Sequence, residues 1–295
     1  MQAFEIHLHA LLMPALGLIT GLLLGTLGSG GSILALPAFV YAAGLPVKTS
    51  VATSLAVVGA TSLVGAIIAK RRCSAYGCPG QEVDGRVTAL MTGGGLVGAF
   101  AGSHMAELVS SDVQMILFAG VMLSAAAGML LRRTDAKSAG TVESTDADDV
   151  PRSPILVLLL GLGVGILTGL VGVGGGFLIV PALALLAKVP VKRAAAMSLW
   201  IIAANSAAGL VGYLGHVHVA WGSAALFFGI AIVGLAIGQR LAARAPAKGL
   251  QRAFAVLLIV VGCVTVFKTE HHHVAQHRGA LSAVKPTLET NASVR

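Results

Sequence analysis

The sequence predicts an all-α polytopic membrane protein made of two homologous repeats. Hydrophobic residues account for 56% of the 295 residues, charged residues account for 11%, and the mean hydropathy is +0.88. Soluble domains carry about 25% charged residues, so a water-soluble globule could not hide this much apolar surface. The apolar runs are continuous rather than alternating, which indicates membrane-spanning helices and excludes a β-barrel.

The second observation is a duplication within the chain. A glycine-rich cluster at residues 21–32 recurs at residues 165–176, and Pro37, which follows the first cluster, recurs as Pro181. The offset is 144 residues in both cases. Glycine-interrupted apolar segments at matching positions of two halves are typical of secondary transporters, and they point to the binding site.

We predict four to five apolar segments in each repeat, including the broken or re-entrant ones. Their lengths and hydrophobicity suit helices that cross or enter a bilayer. In the first repeat they cover residues 10–27, 32–44, 50–69, 87–104 and 113–131. In the second repeat they cover residues 154–171, 176–188, 194–214, 220–239 and 250–267.

Polar stretches divide the chain into its parts. The repeats occupy residues 1–133 and 154–268. Residues 134–153 are rich in Asp, Ser, Thr and charge, which predicts a polar linker. Residues 269–295 form a polar tail that we expect to be disordered.

The net charge of +8 is interpreted as a topology signal rather than a nucleic-acid footprint, because the basic residues lie in short connections between apolar runs. If each segment reverses the chain, one set of loops collects nearly all the lysines and arginines. The positive-inside rule makes those loops cytoplasmic and places both termini in the periplasm. An odd number of reversals per repeat would turn the two repeats upside down relative to each other, as in alternating-access carriers.

The glycine clusters are the first candidate site. Consecutive glycines break a helix, and broken backbone inside a membrane is tolerated where it is buried in protein or lines a cavity. The helix that restarts offers backbone N–H groups and a positive dipole end to an anion. The short segments that follow are half-helices or re-entrant hairpins, and we expect the two breaks to meet near the middle of the membrane. The candidate binding residues are Gly28, Ser29, Gly30, Gly31, Ser32, Gly172, Gly174, Gly175 and Gly176.

Polar residues in the third and eighth segments are the second set of candidates. They are Thr53, Ser54, Ser198 and Asn205, and Ser54 matches Ser198 at the repeat offset. Serine and threonine can instead bond carbonyls of their own helix, and the sequence does not separate the two roles. Asn205 is harder to satisfy in that way and is expected to face the interior of the helix bundle.

Other glycines are spaced for helix packing. Small residues four apart let membrane helices approach closely. This interpretation is preferred for Gly21 and Gly25, for Gly94, Gly98 and Gly102, for Gly161, Gly165 and Gly169, and for Gly234 and Gly238.

We predict neither a cofactor nor a metal site. Cys73 and Cys78 lack further ligands at metal-binding spacing, so free thiols are favoured. No catalytic pair or metal cluster falls within the apolar segments, and we therefore expect that the protein is not an enzyme.

The residues just described resemble the TauE/SafE family, also called the 4-toluene sulfonate uptake permeases. The resemblance rests on the two glycine clusters with their prolines, on the Pro-Val-Lys turns at residues 46–48 and 190–192, and on the Ser54 and Ser198 positions. It covers nearly the whole chain except the linker and tail. The first copy departs from the second in having Ser29 and Ser32 where the second has Val173 and Gly176.

The resemblance implies a multi-pass permease of the bacterial inner membrane with sulfite or an organosulfonate as its cargo. We accordingly predict a secondary transporter of a small sulfur-containing anion, with an anion channel containing re-entrant loops as the alternative. The expected partners are that anion and the lipid bilayer, without nucleic acid, and a homo-oligomer is left open.

Overall fold

The computed structural model describes residues 2–28, 31–76, 85–131, 154–172, 176–181, 183, 191–242, 256 and 259–260. These ranges contain helices and no strand. The predicted linker 134–153, the tail 269–295 and most of segment 250–267 lie outside them. The helices are α1 (Gln2–Leu27), α2 (Ser32–Pro37), α3 (Val47–Tyr76), α4 (Gly85–Leu108), α5 (Ser111–Leu131), α6 (Pro154–Val171), α7 (Gly176–Pro181), α8 (Val191–Tyr213) and α9 (Trp221–Ala242).

The helices match a multi-pass membrane protein, as predicted. Four of those described contain stretches long and apolar enough to cross a bilayer: Val47–Arg71, Pro154–Val171, Ala194–Tyr213 and Trp221–Leu241. Large apolar side chains such as Val97, Ile155 and Leu226 are more than half exposed on the outer surface, which suits contact with lipid. Helix α1 starts at Gln2, eight residues before the predicted apolar boundary, because a helix can continue past its apolar part.

Helix α2 is too short to span a membrane. It continues into one π-helical turn, Ala38–Ala42, and the two together rise by about 16 Å against a hydrocarbon thickness of about 30 Å. Gly44, with φ +64°, makes the turn into α3. Ile33 and Leu36 are fully buried, so this half-helix is part of the protein core rather than a lipid-facing segment.

Two helix pairs pack through glycine faces. A methyl group on Gly98 of α4 would overlap the carbonyl of Leu162 in α6, and one on Gly165 would overlap the carbonyl of Gly95. The α1–α9 pair repeats this arrangement, with Gly21 against Ala231. The backbones therefore approach closely, as the four-residue spacing of the glycines predicts.

The contacts also fix the directions of the helices. Between α4 and α6 the residue numbers of the contacting positions increase together, from Gly94 with Leu158 to Gly102 with Ile166, so these helices are parallel. Helices α1 and α9 are parallel on the same grounds. Helices α3 and α8 are antiparallel, because Leu55 lies beside Gly209 while Gly59 lies beside Ser206.

Candidate functional site

Each repeat contains a helix that ends at a glycine in the left-handed region. Gly28 follows α1 with φ +73°, and Gly172 follows α6 with φ +74°. The N–H of Gly28 donates to the carbonyl of Leu24 at 2.9 Å, and that of Gly172 donates to the carbonyl of Thr168 at 2.8 Å. Both helices therefore end in the same glycine cap, which terminates them at the predicted break.

The carbonyl of each capping glycine accepts a hydrogen bond from a serine of the other repeat. Ser198 Oγ lies 3.0 Å from the Gly28 carbonyl oxygen, and Ser54 Oγ donates to the Gly172 carbonyl. Each hydroxyl is also within 2.9 Å of a carbonyl one turn back in its own helix, that of Ala195 or Val51. One proton serves both acceptors, so neither serine keeps a proton free for an anion in this conformation. We call these two cross-repeat contacts the serine latches.

The space around both glycines is also restricted. A methyl group on Gly28 would overlap Ala195, and one on Gly172 would overlap the side chain of Val51. Left-handed backbone and close packing thus require glycine for two separate reasons.

The two breaks lie towards opposite ends of the α3–α8 pair. Ser198 latches one break and precedes Gly209 by eleven residues in α8, a rise of about 17 Å. Gly209 packs against Leu55, the neighbour of the second latching serine, Ser54. The two breaks therefore do not meet, because antiparallel α3 and α8 each carry the latching serine at their eighth residue. That the breaks lie near the middle of the membrane stays a prediction.

The half-helices that follow the breaks do come together. Helix α2 contacts α7, and Ala35 and Ile179, which are repeat mates, share one buried cluster with Ile201 of α8. The contact between α2 and α7 is thus part of a buried apolar cluster.

Thr53 has a bonding role in this structure. Its Oγ1 donates to the carbonyl of Thr49 at 2.7 Å and accepts from the N–H of Ala220 at 3.2 Å. It therefore ties the start of α3 to the start of α9.

The other cluster residues are placed only in part. Gly31 is buried, and a methyl group there would overlap the carbonyl of Thr20, while Gly176 is buried at the start of α7. Ser32 is the first residue of α2, and its side chain lies outside the part of the chain that the structure describes. Ser29, Gly30, Gly174 and Gly175 lie outside the described residues.

Asn205 has neither amide atom paired. The side chain is fully buried, and neither Oδ1 nor Nδ2 has a hydrogen-bond partner. Its amide lies against Gly95 of α4, where a methyl group would come within 3 Å of Cγ, Oδ1 and Nδ2 alike. The hydroxyls of Ser62 and Ser206 are buried and unpaired as well. Sequence reasoning selected Asn205 but left these two serines out of the site, although they are repeat mates.

A second group of polar side chains binds the end of α6. Gln114 donates through Nε2 to the carbonyl of Leu170 and to Tyr213 Oη, and Tyr213 donates to the carbonyl of Gly169 at 3.1 Å. Neither residue was predicted from the sequence to belong to a site. The signal available was a glutamine at the start of an otherwise apolar segment.

Charged side chains gather at the end where α3 begins. Lys48 Nζ lies 3.3 Å from the carbonyl oxygen of Glu107, whose carboxylate is 3.2 Å from His216 Nε2. Lys48 thus ties α3 to the end of α4. Within the described ranges, no group of three or more His, Cys, Asp or Glu side chains is placed to hold a metal ion.

Comparison with known families gives a match of residues 12–265 to the sulfite exporter TauE/SafE family. The chain belongs to the TauE/SafE family. No solved structure matches the chain.

Curated relatives of this TauE/SafE protein are named as probable membrane transporter proteins. One from Xylella fastidiosa is 30% identical over 256 residues, covering 86% of this chain and 93% of the relative. The Bacillus subtilis protein YunE is 26% identical over 266 residues, covering 87% and 97%. One from Methanocaldococcus jannaschii is 32% identical over 216 residues, covering 72% and 74%. These similarities and the apolar helices make the TauE/SafE chain a multi-pass membrane transporter.

Proposed function

We propose that this protein is a secondary transporter of a small sulfur-containing anion, either sulfite or an organosulfonate, in the bacterial inner membrane. The observation that carries the proposal is the pair of serine latches, Ser54 to Gly172 and Ser198 to Gly28. The description of the matched family, a sulfite exporter, supports the class of cargo.

The latches suit alternating access because each repeat holds the broken helix of the other. Exchanging the two repeats converts one latch into the other. A conformation that opens the transporter to one side of the membrane therefore has an equivalent conformation that opens it to the other side. The directions of repeat-mate helices support this arrangement, since α3 and α8 are antiparallel. Helix α9 begins and α4 ends beside the start of α3, so α9 and α4 run in opposite directions. Helix α1 is parallel to α9 and α6 is parallel to α4, so α1 and α6 run in opposite directions as well. The repeats in this proposal are inverted about an axis in the membrane plane.

Neutral donors suit a cargo that must be released. The described spans hold no lysine or arginine away from their ends, so an anion inside them would meet amide, hydroxyl and backbone N–H groups. Binding through dipoles is weaker than through a full charge and permits turnover.

The proposed orientation follows the charges at the two ends. Lys70, Arg71, Arg86 and Arg240 lie at the ends of α3, α4 and α9 that point away from Lys48 and Glu107. The positive-inside rule assigns the Arg-rich end to the cytoplasm.

Uptake into proteoliposomes tests the proposal. Purified protein is offered sulfite, thiosulfate, taurine or sulfoacetate, each labelled with ³⁵S, with and without an imposed pH gradient. We expect saturable uptake of at least one compound above that of protein-free liposomes. Absence of uptake of all four, by protein shown to be folded and inserted, would overturn the proposed cargo.

The alternative is an anion channel in which the half-helices act as re-entrant loops. The eleven-residue length of α2 with its π-helical turn favours this idea, because neither part crosses the bilayer. Channels conduct without a conformational cycle, so large single-channel currents would support this alternative and steady exchange would oppose it.

A further inference from the structure

Buried polar groups that the fold leaves unused lie where α8 packs against α3 and α4. Asn205 and Ser206 are adjacent in α8, and both are fully buried without partners. Ser206 faces Gly59 of α3, at 3.0 Å from the position of a methyl group there. Ser62, also buried and unpaired, is three residues beyond Gly59 and shares its helix face.

Unpaired buried groups of this kind call for an explanation, because folded proteins pair nearly all of them. Serine and threonine elsewhere in these helices do pair: Thr61, the repeat mate of Asn205, donates to the carbonyl of Val57 at 2.7 Å. Among the described residues, Asn205 is the amide with both polar atoms unpaired, whereas Gln114 and Gln239 each use their Nε2. A ligand with several oxygens would supply the missing partners.

The chemistry of the group suits a small oxyanion. One amide offers two N–H donors and the two serines offer one O–H donor each. The described carboxylates Glu107 and Asp112 lie at helix ends rather than beside Asn205, so no described acidic side chain repels an anion or recruits a cation there. Because Gly95 has no side chain, the side-chain amide of Asn205 lies directly against the backbone of α4.

We infer that Asn205, Ser62 and Ser206 form an occluded site between the two repeats, where a sulfite or sulfonate group is held by neutral donors during transport. The inference rests on the proposed anion transport and adds to it a site separate from both glycine breaks. The serine latches then hold the helices on either side of the occluded site, and the site itself binds the cargo.

The decisive variant is Asn205→Asp, which keeps the size of the side chain and replaces a donor by an acidic group. The probe is whichever of the four ³⁵S compounds the wild-type protein accumulates fastest in proteoliposomes. We expect Asn205→Asp to lower its uptake at least tenfold, because the carboxyl removes the two amide N–H donors and, where ionised, repels the anion. Ser62→Ala and Ser206→Ala are expected to raise KM severalfold with little change in the maximal rate.

Two further variants separate binding from folding. Asn205→Leu should lose uptake while keeping or raising the melting temperature, since it removes an unpaired buried amide. Thr61→Val is the matched control, and its uptake should stay within twofold of wild type.

Three outcomes would overturn the inference. If Asn205→Asp and Asn205→Leu take up the anion at the wild-type rate with unchanged KM, the site is rejected and the proposed transport is unaffected. Loss of uptake in Asn205→Leu with a lower melting temperature assigns Asn205 a structural role. A wild-type protein that accumulates none of the four compounds rejects both the site and the proposed cargo.

Discussion

Gly28 and Gly172 illustrate how far a single residue can be interpreted from the sequence. Their place in glycine clusters, 144 residues apart, predicts a helix break at each. The cross-repeat bonds from Ser198 and Ser54 could not be predicted, because donor and acceptor are 170 and 118 residues apart and the serines could equally bond their own helices. Only the folded chain brings those groups together.

Replacing Gly172 by alanine tests the left-handed cap. The left-handed conformation costs an L-residue about 1–2 kcal/mol, and overlap with Val51 adds to that cost. We expect Gly172→Ala to lower the melting temperature in detergent. Gly163→Ala, inside the helix that Gly172 caps and with open space around it, should match or exceed the melting temperature of the wild type. Equal melting of the two variants would contradict the account of this cap.

Removing the Ser198 hydroxyl tests its latch. Hydrogen bonds between membrane helices contribute about 0.6 kcal/mol on average, so Ser198→Ala should destabilise the protein modestly. Ser124→Ala is the control, because that hydroxyl is exposed and bonds the Val121 carbonyl of its own helix. Chemical denaturation measured by tryptophan fluorescence compares the two. Equal free energies of unfolding for the two variants would show that the latch does not stabilise the protein.

At the level of elements, the glycine faces were predictable and their partners were not. Four-residue spacing identifies Gly94, Gly98 and Gly102 as a packing face, but the same spacing occurs in α1, α6 and α9. The sequence contains no signal that joins α4 to α6 and α1 to α9. Likewise, a short apolar segment after a glycine cluster predicts either a half-helix or a hairpin, and the turn at Gly44 makes α2 a half-helix that leads into α3.

Gly98→Leu tests the α4–α6 contact. Any side chain at this position meets the carbonyl of Leu162, so the helices must separate and lose packing along their length. We expect a large loss of folded protein in fluorescence-detected size-exclusion chromatography. Gly93→Leu, in the same helix with open space around it, should retain the wild-type peak. A normal peak for Gly98→Leu would refute close backbone contact.

For the whole molecule, composition was enough to predict a helical membrane protein, and the duplication was enough to predict two repeats. The separation of the two glycine breaks could not be predicted, because it depends on how α3 and α8 pack rather than on any local pattern. The cargo depends on a few neutral groups that the sequence does not distinguish from helix packing, with Ser62 and Ser206 as the example.

Cysteine labelling tests the proposed orientation. Cys73, Cys78 and Cys263 are first replaced by serine, and single cysteines are then introduced as Glu107→Cys and Arg240→Cys. An impermeant maleimide added to intact cells should label position 107 strongly and position 240 only after the cells are opened. Labelling in the reverse pattern would place the Arg-rich end outside and contradict the proposed topology.

The central claim is that the two latched repeats exchange states to carry an anion across the membrane, and counterflow measures this most directly. Proteoliposomes are loaded with an unlabelled anion identified in the uptake assay, and entry of the same ³⁵S-labelled anion is followed from a dilute external solution. A carrier predicts transient accumulation above equilibrium, accelerated by the internal anion and saturating with concentration. Entry that never exceeds equilibrium and does not respond to the internal anion would contradict the account and favour a channel.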